Sequence, residues 1–365
     1  MPFAPRLARR TFLAAAVASA AGVRAAAPDL AALLEAQVTA AQGGIANVAG
    51  VIGNGGRHVA AAGRFDRDDA RAPDGDTVFE MGSVAKVFTA LLLADMAQRG
   101  ELNADDPVSF YLPNLAAPSL KGVTLSHLAG YFSGFAEMPD NLKPADRANP
   151  LADFSLTQLY AHLAAFNRVV PSGEEYGYSN VAFGLLAHAL SRRADMSYDD
   201  LVVARICTPL GLTDTRATLT KALRERIAPG HDFLLRRTPV WTLGPALAGS
   251  GGLYSTANDM LTFLAACTDD SPLRPALAML VAKPHATDAK GIQVGAGWFI
   301  THEGGNQVVW KDGNTVGHSS FIGYAPREGT AAVVLANAAS GLAVRMMGQH
   351  LLNPAVAAPR FTGQR

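Results

Sequence analysis

The sequence predicts a mixed α/β (α+β) fold: an antiparallel sheet built from both termini, flanked by helices, with a mostly helical lobe inserted between its two parts. Three observations carry that expectation. Alternating or β-branched runs stand near residues 45–62 and again at 291–335. Apolar residues at helical spacing occupy the stretch between them, and glycine-bearing turns join the C-terminal runs closely enough for hairpins.

Taken in order, the chain opens on Arg9-Arg10-Thr11-Phe12-Leu13, an alanine-rich apolar run from Ala14 to Val23, and Ala25-Ala26-Ala27. Paired arginines, an apolar core and small residues read as a twin-arginine export leader over residues 1–27, which predicts a periplasmic protein. No later apolar run reaches the roughly 20 residues of a membrane-spanning helix, so no transmembrane anchor is expected in the mature chain. Residues 29–42 place leucine and alanine at helical spacing, 45–52 alternate, Gly53-Asn54-Gly55-Gly56 reads as a hairpin turn, and 57–62 return as a second strand. Residues 83–99 form a strong helix, apolar through Val87, Phe88, Leu91, Leu92 and Met96, with Gly100 as its stop. The lobe spans about 101–240, with its better helices at 156–166, 181–191 and 199–206. Thr256 with Asp259 three residues later is a near capping box. Strands at 291–300, 307–311, 319–324 and 330–335 make an antiparallel meander, and a helix at 342–352 closes the chain.

With 365 residues, 49% of them apolar, the chain can bury a large core. Thirty-one basic residues balance thirty-one acidic ones, so nothing draws it to nucleic acid or an anionic membrane. Nine histidines show neither His-x-His nor His-Glu-x-x-His, so no metal or other cofactor is expected. Cys207 and Cys267 lie in apolar helical contexts and read as buried free thiols.

The chemistry concentrates in Phe79-Glu80-Met81-Gly82-Ser83-Val84-Ala85-Lys86. Residues three apart share a helix face, so the Ser83 hydroxyl and the Lys86 ammonium can meet while first-turn amides stay free for an anion. A serine needs such a neighbour, because its hydroxyl is protonated near neutral pH. One Ser-x-x-Lys alone could be a cap and a surface lysine, Tyr178 a core tyrosine, Asn180 a turn residue and Lys311 an edge-strand lysine. Tyr178-Ser179-Asn180 and Lys311-Asp312-Gly313 nevertheless follow in the same chain, each the sole Tyr-x-Asn and Lys-x-Gly in it.

With these three motifs the sequence resembles the serine β-lactamase and penicillin-binding protein superfamily, and most of all class C β-lactamases. Residues 79–86 match the aromatic-Glu-aliphatic-Gly-Ser-x-(Ser/Ala)-Lys signature at every position. The likeness runs from about Val48 to Asn337, through Gly122 to Leu128, Pro209 to Leu212 and Gly251 to Met260. It implies one catalytic unit over residues 28–355 and a β-lactam or peptidoglycan-type peptide as substrate; the sequence leaves the oligomeric state open, a monomer being one option. It also implies Ser83 as nucleophile, Tyr178 as general acid/base in a coupled network with Lys86, and Asn180 gripping a substrate amide. Lys311, Asp312 and Gly313 would border the substrate, with the Asn314 and Ser83 amides binding the oxyanion.

The chain departs from that pattern at Asp312, where most class C enzymes have a threonine that helps bind a substrate carboxylate. An aspartate there either repels that carboxylate and favours an uncharged or amine-bearing substrate, or turns away. His318 likewise stands where the family often has an aromatic residue. Expected activities are therefore β-lactam hydrolysis first, then a D-alanyl-D-alanine peptidase or an esterase, with a non-hydrolytic penicillin-binding sensor as the rival of another class. An α/β-hydrolase elbow is not supported: Ala248-Gly249-Ser250-Gly251-Gly252 lacks the first glycine, and Ser250 reads as part of a flexible glycine loop.

Overall fold

The computed structural model describes residues 29–40, 45–53, 55–115, 117–303 and 305–359, so the expected leader lies outside the described residues. An eight-stranded antiparallel sheet forms the centre. Its strands are β1 (Asn47–Gly53), β2 (Gly56–Ala62), β3 (His285–Ala286), β4 (Ile292–Val294), β5 (Phe299–Glu303), β6 (Asn306–Asn314), β7 (Ser319–Ala325) and β8 (Thr330–Ala336). They lie in the order β2-β1-β8-β7-β6-β5-β4-β3. The first strand pairs with the last, Asn47 opposite Ala336 and Ile52 opposite Ala331, so the termini are sewn together as the sequence predicts.

One expected strand is divided. The run 291–300 becomes β4 and β5, separated by a turn in which the Gly295 N–H donates to the Trp298 carbonyl. Inside that turn the Ala296 and Gly297 N–H groups donate to Leu280 and Ala129, carbonyls of the helical layer, and thus leave the sheet ladder. Alternation along β8 fills both faces. Val333 and Leu335 point into the larger core, whereas Ala332 and Val334 meet Leu34 of α1 (Leu30–Ala40) and Val344 of the last helix on the opposite face.

Helix α2 (Ala85–Gln98) goes further than its sequence pattern. Every residue from Ala85 to Met96 is buried, including Lys86, Thr89 and Asp95, because the helix is enclosed on all sides instead of resting on one face. Its neighbours include α3 (Asn180–Ala194), the short helical turn Ala248–Gly251 and the core beneath the sheet. α4 (Ala257–Thr268) carries half of the anticipated capping box: the Thr256 hydroxyl accepts from the Asp259 N–H at 3.1 Å. The Asp259 carboxylate instead accepts from the Asp214 N–H and the Thr215 hydroxyl, tying a loop to the helix start. α5 (Gly341–Leu352) completes the fold. Both cysteines are free and buried, and burial pushes each thiol up to about 12.

Candidate active site

Ser83 sits in a tight 3-10 turn, Gly82–Val84, which leads directly into α2. Val84 is the residue that donates back, to the Met81 carbonyl at 3.2 Å, so the Ser83 N–H before it has no carbonyl acceptor within the turn. The turn lies hard against the end of β6. A Cβ on Gly313 would stand 2.1 Å from the Met81 carbonyl oxygen and 2.9 Å from the Ser83 nitrogen, and Gly82, at φ +49°, would direct one to 2.8 Å from the Asn314 nitrogen. Only glycine permits both approaches. Across the sheet the Ser320 hydroxyl donates to the same Met81 carbonyl at 2.8 Å and pins the turn.

The direction of the Asn314 amide follows from the ladder. Its neighbour Thr315 donates to His318 on the β7 side, so in an antiparallel strand the Asn314 N–H points the other way. There β5 has already ended, its pairing with β6 stopping at Trp310. Two backbone donors, from Ser83 and Asn314, thus stand where the serine turn meets the end of β6.

Helix α3 supplies two more groups. The Ser179 hydroxyl caps it by accepting from the Ala182 N–H at 3.0 Å, which leaves Tyr178 just outside the helix and Asn180 as its first residue. The Tyr178 hydroxyl donates to Ser83 Oγ at 2.7 Å. On the other side Lys86 Nζ donates to Ser83 Oγ at 3.1 Å, to Asn180 Oδ1 at 2.6 Å and to the Ser250 carbonyl at 2.7 Å. Lys86 is completely buried, and its ammonium also lies 4.7 Å from the centre of the Tyr178 ring. Lys311 Nζ approaches the same ring at 5.5 Å from the sheet side.

These positions bias the protons. Burial alone would raise the Tyr178 phenol, but the ammoniums of Lys311 and Lys86 outweigh it and hold the phenol below its ordinary value. Burial lowers Lys86 in turn, with the Tyr178 charge opposing that shift and Lys311 adding to it. A phenol that releases its proton more easily, touching a hydroxyl that must lose one, is what base-assisted attack on a carbonyl requires.

Two cavities, of about 480 and 310 Å³, meet at Ser83, Asn180 and Asn314. The larger carries ionisable side chains, with Glu137, Tyr176, Asp288, Lys311, Asp312 and Arg345 among its walls. The smaller is mainly apolar, walled by Met138, Leu142, Leu151, Trp241 and Leu243. A substrate bound across Ser83 would place one half in each.

Comparison with known proteins agrees with this geometry. The sequence profile of the beta-lactamase family matches residues 30–353. The chain belongs to the beta-lactamase family. A human beta-lactamase-like protein 1 (Homo sapiens) is 31% identical over 274 residues, 70% of this chain, and the chain spans about half, 53%, of that protein. Penicillin-binding protein 4 of Amycolatopsis lactamdurans is 28% identical over 304 residues, 78% of each chain. A crystal structure of a class C beta-lactamase from Rhodobacter sphaeroides superposes with a TM-score of 0.76 at 25% identity, covering 89% of this chain and 98% of that one. The protein is a serine hydrolase of beta-lactamase type.

Within this beta-lactamase-type cleft the structure gathers every site residue singled out in the sequence. Ser83, Tyr178, Asn180, Lys311, Asp312, Gly313 and Asn314 line the larger cavity, and Lys86 lies buried beneath Ser83. Ser250 needs correction: it belongs not to a flexible glycine loop but to the buried helical turn Ala248–Gly251, whose carbonyl anchors Lys86. Asp312 neither faces a substrate uncompensated nor turns away. Lys311 Nζ donates to its carbonyl at 2.7 Å and its Oδ1 at 3.3 Å, while Arg345 of α5 stands 3.8 Å from Oδ2.

Sequence reasoning missed Arg345 and Tyr131. Arg345 lies beyond the motifs, and only the docking of α5 brings it to the cleft. Tyr131 is fully buried at φ +69°, stacks on Tyr178 with ring centres 5.5 Å apart, and donates to the Gly297 carbonyl at 3.1 Å. Positive φ is strained for an aromatic residue, and neither it nor the stacking leaves a mark in the sequence.

Proposed function

We propose that the protein is an exported, periplasmic class C β-lactamase-type enzyme that opens a β-lactam amide through an acyl-enzyme at Ser83. The 2.7 Å contact between Tyr178 and Ser83 Oγ, backed by Lys86, carries the reading. With Tyr178 as phenolate, Ser83 Oγ passes its proton to the phenolate oxygen as it bonds the lactam carbonyl carbon. The Ser83 and Asn314 amides receive the oxyanion, and removal of one such donor typically costs about 2.7–4 kcal/mol of transition-state stabilisation. Collapse breaks the C–N bond, and the leaving nitrogen takes the proton back from Tyr178. Tyr178 then draws a proton from water as the water oxygen attacks the ester carbonyl, the C–Oγ bond breaks, and Ser83 Oγ takes that proton from Tyr178 as the acid product leaves. Asn180 holds the acyl amide and keeps Lys86 in place, while the apolar cavity takes the acyl side chain.

The engaged Asp312 favours a second reading. Because Asp312 already occupies Lys311, a carboxylate on the leaving-group side gains less there than at a free lysine. Esters or amides without that carboxylate, the esterase alternative, are then better substrates than carboxylate-bearing peptides. Intact mass measured after mixing with benzylpenicillin and with a neutral p-nitrophenyl ester separates the readings. Turnover of penicillin through a transient adduct supports the first, ester turnover without penicillin reaction supports the second, and a lasting penicillin adduct points to a peptidase or a sensor. An adduct with neither, or one that survives Ser83→Ala, refutes the acyl-enzyme mechanism.

A further inference from the structure

Glu80, three residues before Ser83, has no part in the chemistry above, yet it is 3% exposed and touches three walls of the cleft. Its Oε2 accepts from the Thr315 hydroxyl at 2.5 Å, and its Oε1 accepts from the Trp241 N–H at 2.7 Å. Its own backbone N–H donates to His318 Nδ1 at 3.3 Å. Thr315 follows Asn314, and its hydroxyl also accepts from the His318 N–H at 2.9 Å, which fixes the turn leaving β6. Trp241 walls the apolar cavity, and its backbone is clamped at both ends, because the Tyr254 hydroxyl donates to its carbonyl at 2.9 Å. Tyr254 pairs with Glu80 in a two-residue ribbon, Phe79–Glu80 against Tyr254–Ser255. One carboxylate therefore joins the nucleophile turn, the strand end bearing the second amide and the wall for the acyl group.

We propose that Glu80 is a positioning residue that sets the spacing of the Ser83 and Asn314 amides through Thr315 and holds the acyl wall through Trp241. The proposal rests on the reading of Ser83 as nucleophile. An ionised carboxylate is what the arrangement needs, since both partners donate to it and a protonated Glu80 loses one acceptor. Burial raises Glu80 to about 7, opposed by the Thr315 and Trp241 hydrogen bonds. The titratable groups packed around it are few. His318, 3.9 Å away through Nε2, is driven down to about 3 by burial, with His231 behind it adding to the shift, so this contact is no ion pair near neutral pH. The Tyr254 phenol is pushed well above its ordinary value by burial and then by Glu80 itself. The array therefore tightens as pH rises through neutrality.

The test is the labelling rate of the full-length protein by a fluorophosphonate, with kinact and KI measured separately from pH 5.5 to 8.5. In this reaction the Ser83 Oγ–P bond forms as P–F breaks, fluoride leaves, and the hydroxyl proton passes to the Tyr178–Lys86 network. Glu80→Gln is expected to lower kinact roughly ten- to hundredfold, the scale of a small misplacement of reacting groups. It should also flatten the rise through neutral pH. Thr315→Val should lower kinact with KI unchanged, whereas Thr315→Ser, which keeps the hydroxyl, should stay within about twofold of wild type, as expected when only the lost hydrogen bond matters. Glu80→Gln within twofold of wild type and with an identical pH profile overturns the proposal. If Glu80→Gln fails to fold, Thr315→Val decides alone, and an unchanged kinact overturns it. A wild-type protein that the probe never labels at Ser83 removes the nucleophile reading as well, which separates that failure from the failure of Glu80.

Discussion

The burial of Glu80 sets a stability term with a definite sign. In the unfolded chain its carboxyl titrates near 4.5, and in the fold near 7. Below 4.5 it is protonated in both states and burial carries no ionic penalty. As pH rises from 4.5 through 7 the unfolded chain releases its proton first, so the fold loses stability across that window and the loss is complete above it. A shift of about 2.5 units at about 1.36 kcal/mol per unit amounts to about 3 kcal/mol. Other groups titrate over the same range, so the quantity to follow is the stability of wild type minus that of Glu80→Gln. Urea denaturation at pH 4.5, 5.5, 6.5, 7.5 and 8.5, monitored by tryptophan fluorescence, measures it. The difference should decline by about 3 kcal/mol from the acid to the alkaline end, whatever its absolute value at pH 4.5. A difference flat within about 0.5 kcal/mol, or one that grows with pH, refutes the reasoning, because a carboxyl with an unshifted titration contributes no such slope.

Two further outcomes follow from the contacts at the cleft. Gly313→Ala drives a methyl to 2.1 Å from the Met81 carbonyl, so β6 and the serine turn must part. Acylation should fall by roughly a hundredfold or more, as for a lost oxyanion donor, and the melting temperature should drop; wild-type acylation would contradict the close approach of β6 to the serine turn. Asp312→Thr removes the carboxylate charge beside Lys311 Nζ, leaving only the backbone carbonyl as acceptor, and frees Arg345, so kcat/KM for carboxylate-bearing substrates should rise relative to neutral esters. An unchanged or lower ratio in steady-state assays would show that Asp312 does not govern the choice.

Local order made much of the chain legible. The hairpin at β1–β2, the meander from β6 to β8, the cap at Thr256 and the glycine stop after α2 are written in residues a few positions apart. The break between β4 and β5 was not, since it depends on carbonyls of Leu280 and Ala129 that accept the N–H groups of Ala296 and Gly297. Nor was the complete burial of α2, because a helix whose residues are mostly apolar does not announce how many sides will be covered.

The same division runs through the site. The sequence determined which side chains could form a serine-centred acyl-transfer group, because Ser83–Lys86 spacing is helical geometry and the Tyr-x-Asn and Lys-x-Gly motifs are local strings. Tertiary structure alone decided that Tyr178 reaches Ser83, that Lys86 loses its water and gains Ser250, and that Asp312 lies between Lys311 and Arg345. It also decided that Glu80 spans three walls. The physical reason is that proton affinity depends on burial and on charges within a few ångströms, and packing brings those neighbours from more than two hundred residues away along the chain, as Thr315 is brought to Glu80.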